Sequence, residues 1–189
     1  MMYFVQSLQT YSPKNRACKK LLDYVEKYKY VLIKDELSLD ALKEELRIKV
    51  NEINSEHPKL KKIRFSADNI NDGMHRINAS IDNMGCPEYV FYMDVCRVRS
   101  IYQFSEEVAA AQEKTLDTVR KDTKAELLRA AAEEGRKHIG KEEGLIHGLA
   151  EEYTQAQDYE SMKQDDEIYS AFVKAALEAP EERTRGRKM

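Results

Sequence analysis

The chain has 189 residues, of which 42% are apolar and 34% charged, with no tryptophan and a formal net charge of −3. That length suits one ordinary domain with an appendage, and so high a charged fraction is the direction that helical, partly extended proteins take. No stretch approaches the roughly 20 apolar residues that a membrane-spanning helix needs. Residues 1–11 also lack the basic start and long apolar run of a signal peptide, so a soluble, cytoplasmic chain is expected.

Residues 2–8 are short, aromatic and β-branched and predict a strand. Ser12-Pro13 predicts a helix start, and Ala17, Cys18, Leu21, Leu22, Val25 and Tyr28 then recur at helical spacing. Residues 30–33 form a continuous apolar run, read as a buried strand. Ser38 is the expected cap of a second helix, with Leu37 and Leu42 as its hydrophobic staple and Leu39, Leu42, Leu46, Val50 and Ile53 as its inner stripe. His57-Pro58 ends it. Strands are expected at 60–66, 75–81 and 89–98, with turns at Asp72-Gly73 and Asn83-Met84-Gly85. The last of these also fits a helix, through Phe91, Val95, Val98 and Tyr102, but its β-branched and aromatic content favours a strand. The expected fold is an α+β or α/β head over residues 1–104, of order βαβαβββ, with a small sheet covered by two helices.

At Phe104–Ser105 the composition changes. Residues 1–104 hold 12 of the 16 Phe and Tyr residues and all three cysteines, whereas 105–179 hold no proline and are rich in Ala, Glu and Lys. The first part carries +3 and the remainder −6; in 142–182 twelve acidic residues face only Lys163 and Lys174. That stretch would be repelled by nucleic acid or an anionic membrane. Ser105-Glu106-Glu107 opens the helical arm, and Val108, Leu116, Val119, Thr123, Leu127 and Ala130 form a stripe too thin to hold a helix alone. A last helix is expected at 165–179 with Ile168, Tyr169, Phe172, Val173, Ala176 and Leu177 on one side, after a polar link at 156–164 and before a disordered charged tail at 180–189.

Gly135, Gly140, Gly144 and Gly148 interrupt the arm, each costing about 1 kcal/mol in a helix interior. On one continuous helix Ile146, Leu149 and Tyr153 lie opposite Gly140, Gly144 and Gly148, so the segment is either a bend near 135–148 or a face closely packed by a second helix. Residues 133–152 resemble the Glu/Gly-patterned helical tails of flagellar-export stators and of some transposase-like nucleases; the resemblance implies helix and carries no activity.

The chemistry-bearing patterns all fail on a required residue. The run 68–73 has Ile70 and Ala79 where a calcium loop needs an oxygen ligand and a bidentate Glu. His138 and His147, nine residues apart, point opposite ways on a helix and match neither HExxH nor the Glu-x-x-His pair of di-iron bundles. Cys18, Cys86 and Cys96 form no repeated spacing, and no glycine-rich phosphate loop occurs. No catalytic residue, cofactor, metal or small-molecule substrate is therefore expected.

The preferred expectation is a non-enzymatic interaction or assembly protein that binds a protein partner or a second copy of itself. Its arm would associate helix to helix, as in a coiled coil, through Val108, Leu116, Val119, Leu127, Ile146, Leu149, Tyr153, Phe172, Val173 and Leu177. One alternative is a nucleic-acid-binding accessory or regulatory protein using residues 59–99, with Lys61, Lys62, Arg64, Arg76, Arg97 and Arg99 as contacts and Tyr89 and Tyr92 nearby. The other is charge mimicry, in which the acidic arm occupies a basic partner.

Overall fold

A computed structural model of the chain describes residues 2–155 and 159–178. It is of the α+β class: a five-stranded antiparallel sheet and six helices among the described residues. The chain divides into two compact units, Met1–Val98 with Phe104–Leu116, and Arg99–Gln103 with Asp117 onward.

In the sheet unit the strands are β1 (Tyr3–Thr10), β2 (Leu32–Ile33), β3 (Ile63–Asn71), β4 (Met74–Asn83) and β5 (Cys86–Arg97), ordered β2-β1-β5-β4-β3. On β4 His75, Ile77, Ala79 and Ile81 are buried at alternate positions, with Asn78 buried between them, and they give the sheet an apolar inner face. Helices α1 (Arg16–Val25) and α2 (Glu36–Glu56) supply the opposing stripes. Leu21, Val25, Leu39, Leu46, Val50 and Ile53 pack there with Val5, Ile77, Phe91, Met93 and Val95 in one core. The hairpin turns fall at Gly73 (φ 105°) and at Met84-Gly85 (φ 53° and 85°), where glycine tolerates the left-handed backbone.

Both expected helix caps shift. Asn15, not Ser12, caps α1, its Oδ1 accepting from Cys18 N at 2.9 Å. Asp35, not Ser38, caps α2, accepting from Ser38 N at 2.7 Å. Starting α2 three residues early turns Leu37 outward (81% exposed), so the Leu37–Leu42 staple does not form. A short helix, α3 (Glu106–Ala111), also belongs to this unit and is followed by a break where Glu113 has φ 55°. The stripe, already interrupted in sequence by Gln112, is broken there, because α3 ends at Ala111 and Glu113 takes a left-handed backbone.

The helical unit is built from α4 (Leu116–Arg136), α5 (Glu143–Tyr153) and α6 (Tyr159–Leu177). Ala131, Ile146, Ala150, Ile168, Phe172 and Ala176 form its core, with Leu127, Leu149, Tyr153 and Val173 packed against them. Residues 159–164, read from the sequence as polar link, are the first turns of α6, and two of their polar side chains explain why. Gln164 Oε1 accepts from Ile101 N at 2.8 Å, and Ser161 Oγ lies 3.2 Å from Ser100 Oγ, with both side chains buried. Gln103 Oε1 accepts from the backbone N–H groups of Arg99 and Ser100 at 2.6 and 2.8 Å, closing the 3₁₀ turn that this clamp holds. Residues 156–158 of the expected link, Ala179 and the expected 180–189 tail lie outside the described residues.

The four glycines of the arm have different tasks. Gly140 (φ 86°) lies in the bend between α4 and α5. Gly135 meets α6 backbone to backbone: a Cβ there would fall on the Phe172 carbonyl oxygen. Gly144 and Gly148 would meet nothing within 4 Å. The chain bends at Gly140, whereas the face of Gly140, Gly144 and Gly148 expected to take a second helix is open; the close approach falls at Gly135 instead. Gly135→Ala is expected to lower stability by about 1–3 kcal/mol as an overpacking change, and Gly148→Ala to raise it by about 1 kcal/mol. Urea unfolding of the two variants measures the opposite signs.

Candidate functional site

The two long helices of the sheet unit cover one face of the sheet, leaving the other face to be resolved by its own side chains. The strand register arranges that outer face in rungs. Phe4, Cys96 and Met74 share the first, an apolar rung, and Phe4 is buried against the Phe104 ring, with centroids 5.3 Å apart. The second rung runs Ser7, Asp94, Arg76, Asp68 across four strands. The third runs Gln9, Tyr92, Asn78, Ser66. Beyond the irregularity in the β4–β5 pairing come Tyr89, Ser80 and Arg64.

Charge on this face is paired. Arg76 Nε donates to Asp94 Oδ1 at 3.0 Å, and Ser7 Oγ donates to the other carboxylate oxygen at 3.3 Å. The same guanidinium lies over the Tyr92 ring at 4.4 Å, so Arg76 is held flat by an ion pair and an aromatic face together. Arg64 lies 3.2 Å from Asp82. Tyr92 and Tyr89 meet edge to face at 5.6 Å, and Tyr11 joins Tyr89 at 6.4 Å. Tyr11 and Tyr89 are exposed, at 43% and 41%. Two arginines, Arg64 and Arg76, stand against three aspartates, Asp68, Asp82 and Asp94, so the open face is not cationic.

The six expected nucleic-acid contacts do not form one patch. Lys61, Lys62 and Arg64 line a groove of about 770 Å³ between α2 and β3, joined by Arg47 from α2. Arg76 lies on the outer face, and Arg97, at the end of β5, is engaged within the chain. Arg99 belongs to the helical unit, where its carbonyl accepts from Gln164 Nε2 at 3.5 Å. Sequence reading missed Arg47 and Tyr11, which only the fold brings to these surfaces. The polar run Arg47, Asn51, Asn54 along α2, beside the buried stripe, was the available signal for the groove.

Of the residues expected to bind a partner through the arm, Val108 and Val119 are buried, while Leu116 and Leu127 are half-buried. Ile146, Leu149, Tyr153, Phe172 and Val173 pack within the helical unit itself, and Leu177 is half exposed. His138 and His147 stack on Phe172 and Tyr169 respectively. Among the described residues no group of three His, Cys, Asp or Glu side chains is placed to hold a metal ion. Burial pushes the Cys18 and Cys96 thiols up from their ordinary value. No helix among the described residues is long and apolar enough to cross a membrane. Compared with protein-family models, curated proteins and solved structures, the chain matches none.

One further cluster of titratable groups lies between α1 and α2. Glu45 Oε1 accepts from the Tyr24 hydroxyl, from the Tyr28 hydroxyl at 2.5 Å and from Lys27 Nζ at 3.1 Å. The Tyr24 and Tyr28 hydroxyls bring its carboxyl down from 4.5 to about 2, with Lys27 adding to the shift, and burial and the same carboxylate push the Tyr28 hydroxyl up. The cluster pins the two helices together. A carboxyl more acidic in the folded than in the unfolded chain contributes stability above pH 4.5 that is lost as pH falls through about 2. Glu45→Gln is therefore expected to be less stable than the parent at pH 7 and to converge with it as pH falls to about 2, as followed by thermal melts across that range.

Proposed function

We propose that this chain is a non-enzymatic interaction or assembly protein whose contact surface is the outer face of the sheet, centred on Tyr11, Tyr89 and Tyr92. The observation that carries the reading is a face on which Tyr11 and Tyr89 are exposed, Tyr92 is half-buried and both arginines already have carboxylate partners. Tyr and Arg are the residues enriched where proteins bind proteins, and Ser, Asn and Gln around them supply adaptable hydrogen bonds. The partner is another protein or a second copy of the chain. Self-association through the helical unit would use its exposed Leu145, Met162 and Leu177. The three unpaired cysteines fit a reducing, cytoplasmic compartment.

Nucleic-acid binding is the second reading, and Lys61, Lys62 and Arg64 beside Arg47 favour it. The aspartates of the outer face count against it, since Asp68, Asp82 and Asp94 outnumber Arg64 and Arg76 there and repel phosphate. Light scattering of the full chain, with affinity capture before and after Tyr89→Ala/Tyr92→Ala, tests the preferred reading. The expected outcome is a complex or oligomer that the double variant weakens by at least about tenfold with an unchanged far-ultraviolet spectrum. A monomer that retains no protein but shifts RNA or DNA at low salt would overturn it in favour of the second.

A further inference from the structure

We propose that the open edge of the sheet at β3 is a second recognition site, meeting the tyrosine face only at Arg64 and Asp82, one that takes an extended acidic segment of another protein by strand addition. β3 ends the strand order, so only one of its sides is paired, by β4. The direction of its free groups is set by one contact. Asn54 of α2 donates through Nδ2 to Ile63 O and accepts from Ile63 N, both at 2.8 Å. Its carboxamide thus fills the first rung of the edge as a neighbouring strand would. Backbone groups alternate in direction along a strand, so those of Phe65 and Ala67 face the same side as those of Ile63. Among the described residues nothing outside the sheet bonds to them. The strand carries no proline, and Ala67 is exposed. An edge of this kind is a template for another strand.

Charge chooses the occupant. The groove that opens beside this edge holds Arg47, Lys61, Lys62 and Arg64 against a single carboxylate, Asp82. Arg47 and Arg64 already pair with Glu44 and Asp82, but all four side chains lie in solvent, so an incoming carboxylate can exchange for these partners at small cost. Lys62 has no ion pair among the described residues. A polypeptide strand alone offers donors and acceptors at the two-residue spacing of Phe65 and Ala67; a phosphate backbone offers acceptors and no matching donors. The chain's own acidic stretch lies largely in α5 and α6, and those helices offer no extended strand, so the segment comes from another protein.

The test is fluorescence anisotropy on the full chain with a labelled, end-blocked hexapeptide of alternating Glu and Val, together with amide hydrogen exchange. The Glu-Val peptide is expected to bind, to weaken as salt rises, and to slow exchange at Phe65 and Ala67. Arg47→Glu/Lys62→Glu, at exposed positions, is expected to weaken it about tenfold. Ala67→Pro, which removes one edge donor, provides a second variant, and Tyr89→Ala/Tyr92→Ala is expected to leave the binding unchanged, so this site and the tyrosine face fail or stand separately. A peptide methylated on alternate backbone nitrogens is expected not to bind. Equal binding by that methylated peptide, displacement by oligo-deoxythymidine without exchange protection, or no binding by any peptide would each overturn the proposal.

Discussion

A sheet has two faces, and the long helices α1 and α2 of this unit cover only one of them. Everything distinctive about the sheet unit follows from how the second face is resolved. At one end the solution is apolar: Phe4, in line with Cys96 and Met74, lies buried under Phe104, which the chain supplies just before α3. Further along, it is electrostatic, with Arg76 held between Asp94 and the Tyr92 ring. At the far end it is aromatic and open, with Tyr11 and Tyr89 leaning on one another in solvent. An ion pair at the middle rung stabilises little by itself, but it fixes the guanidinium and leaves the face without net cationic charge. That is the physical basis for reading the face as a protein contact.

The helical unit obeys a different constraint, the closeness of α4 and α6. A hydrogen atom at Gly135 is what lets the two backbones approach at Phe172, and His138 stacks on the same Phe172 ring at 5.6 Å. Gly140 then turns the chain so that Ile146 and Ala150 of α5 reach the same core. The polar clamp of Ser161 and Gln164 draws in residues 99–103, which explains why this short segment belongs to the helical unit although its neighbours in sequence belong to the other.

Much of this was legible from residue order. The apolar stripe of α2 and the turns at Asp72-Gly73 and Met84-Gly85 were readable because period and turn chemistry are local properties. The caps were not, because Ser12 and Asn15, or Asp35 and Ser38, lie within one turn of each other and any of them can accept the bond. The arm's glycines look alike in sequence; Gly135 differs from Gly148 only by a backbone lying across it. Of the thin stripe that suggested an outside partner, Val108, Val119 and Thr123 are buried and Leu127 packs against the helical core, and this depends on contacts between residues far apart in sequence. The site divides the same way. Lys61, Lys62 and Arg64 are neighbours in the sequence and remain so, whereas Arg47 and Tyr11 join their surfaces only through the fold.

The central claim is that the tyrosine face is open in the free chain and covered in its complex. Hydroxyl-radical footprinting of the full chain, alone and bound to the protein it retains, addresses it most directly. The account expects Tyr11 and Tyr89 to react in the free chain and to be protected in the complex, with the buried Tyr3 and Tyr28 unreactive in both. Unchanged reactivity of Tyr11 and Tyr89 in the complex, with protection elsewhere on the chain, would contradict it.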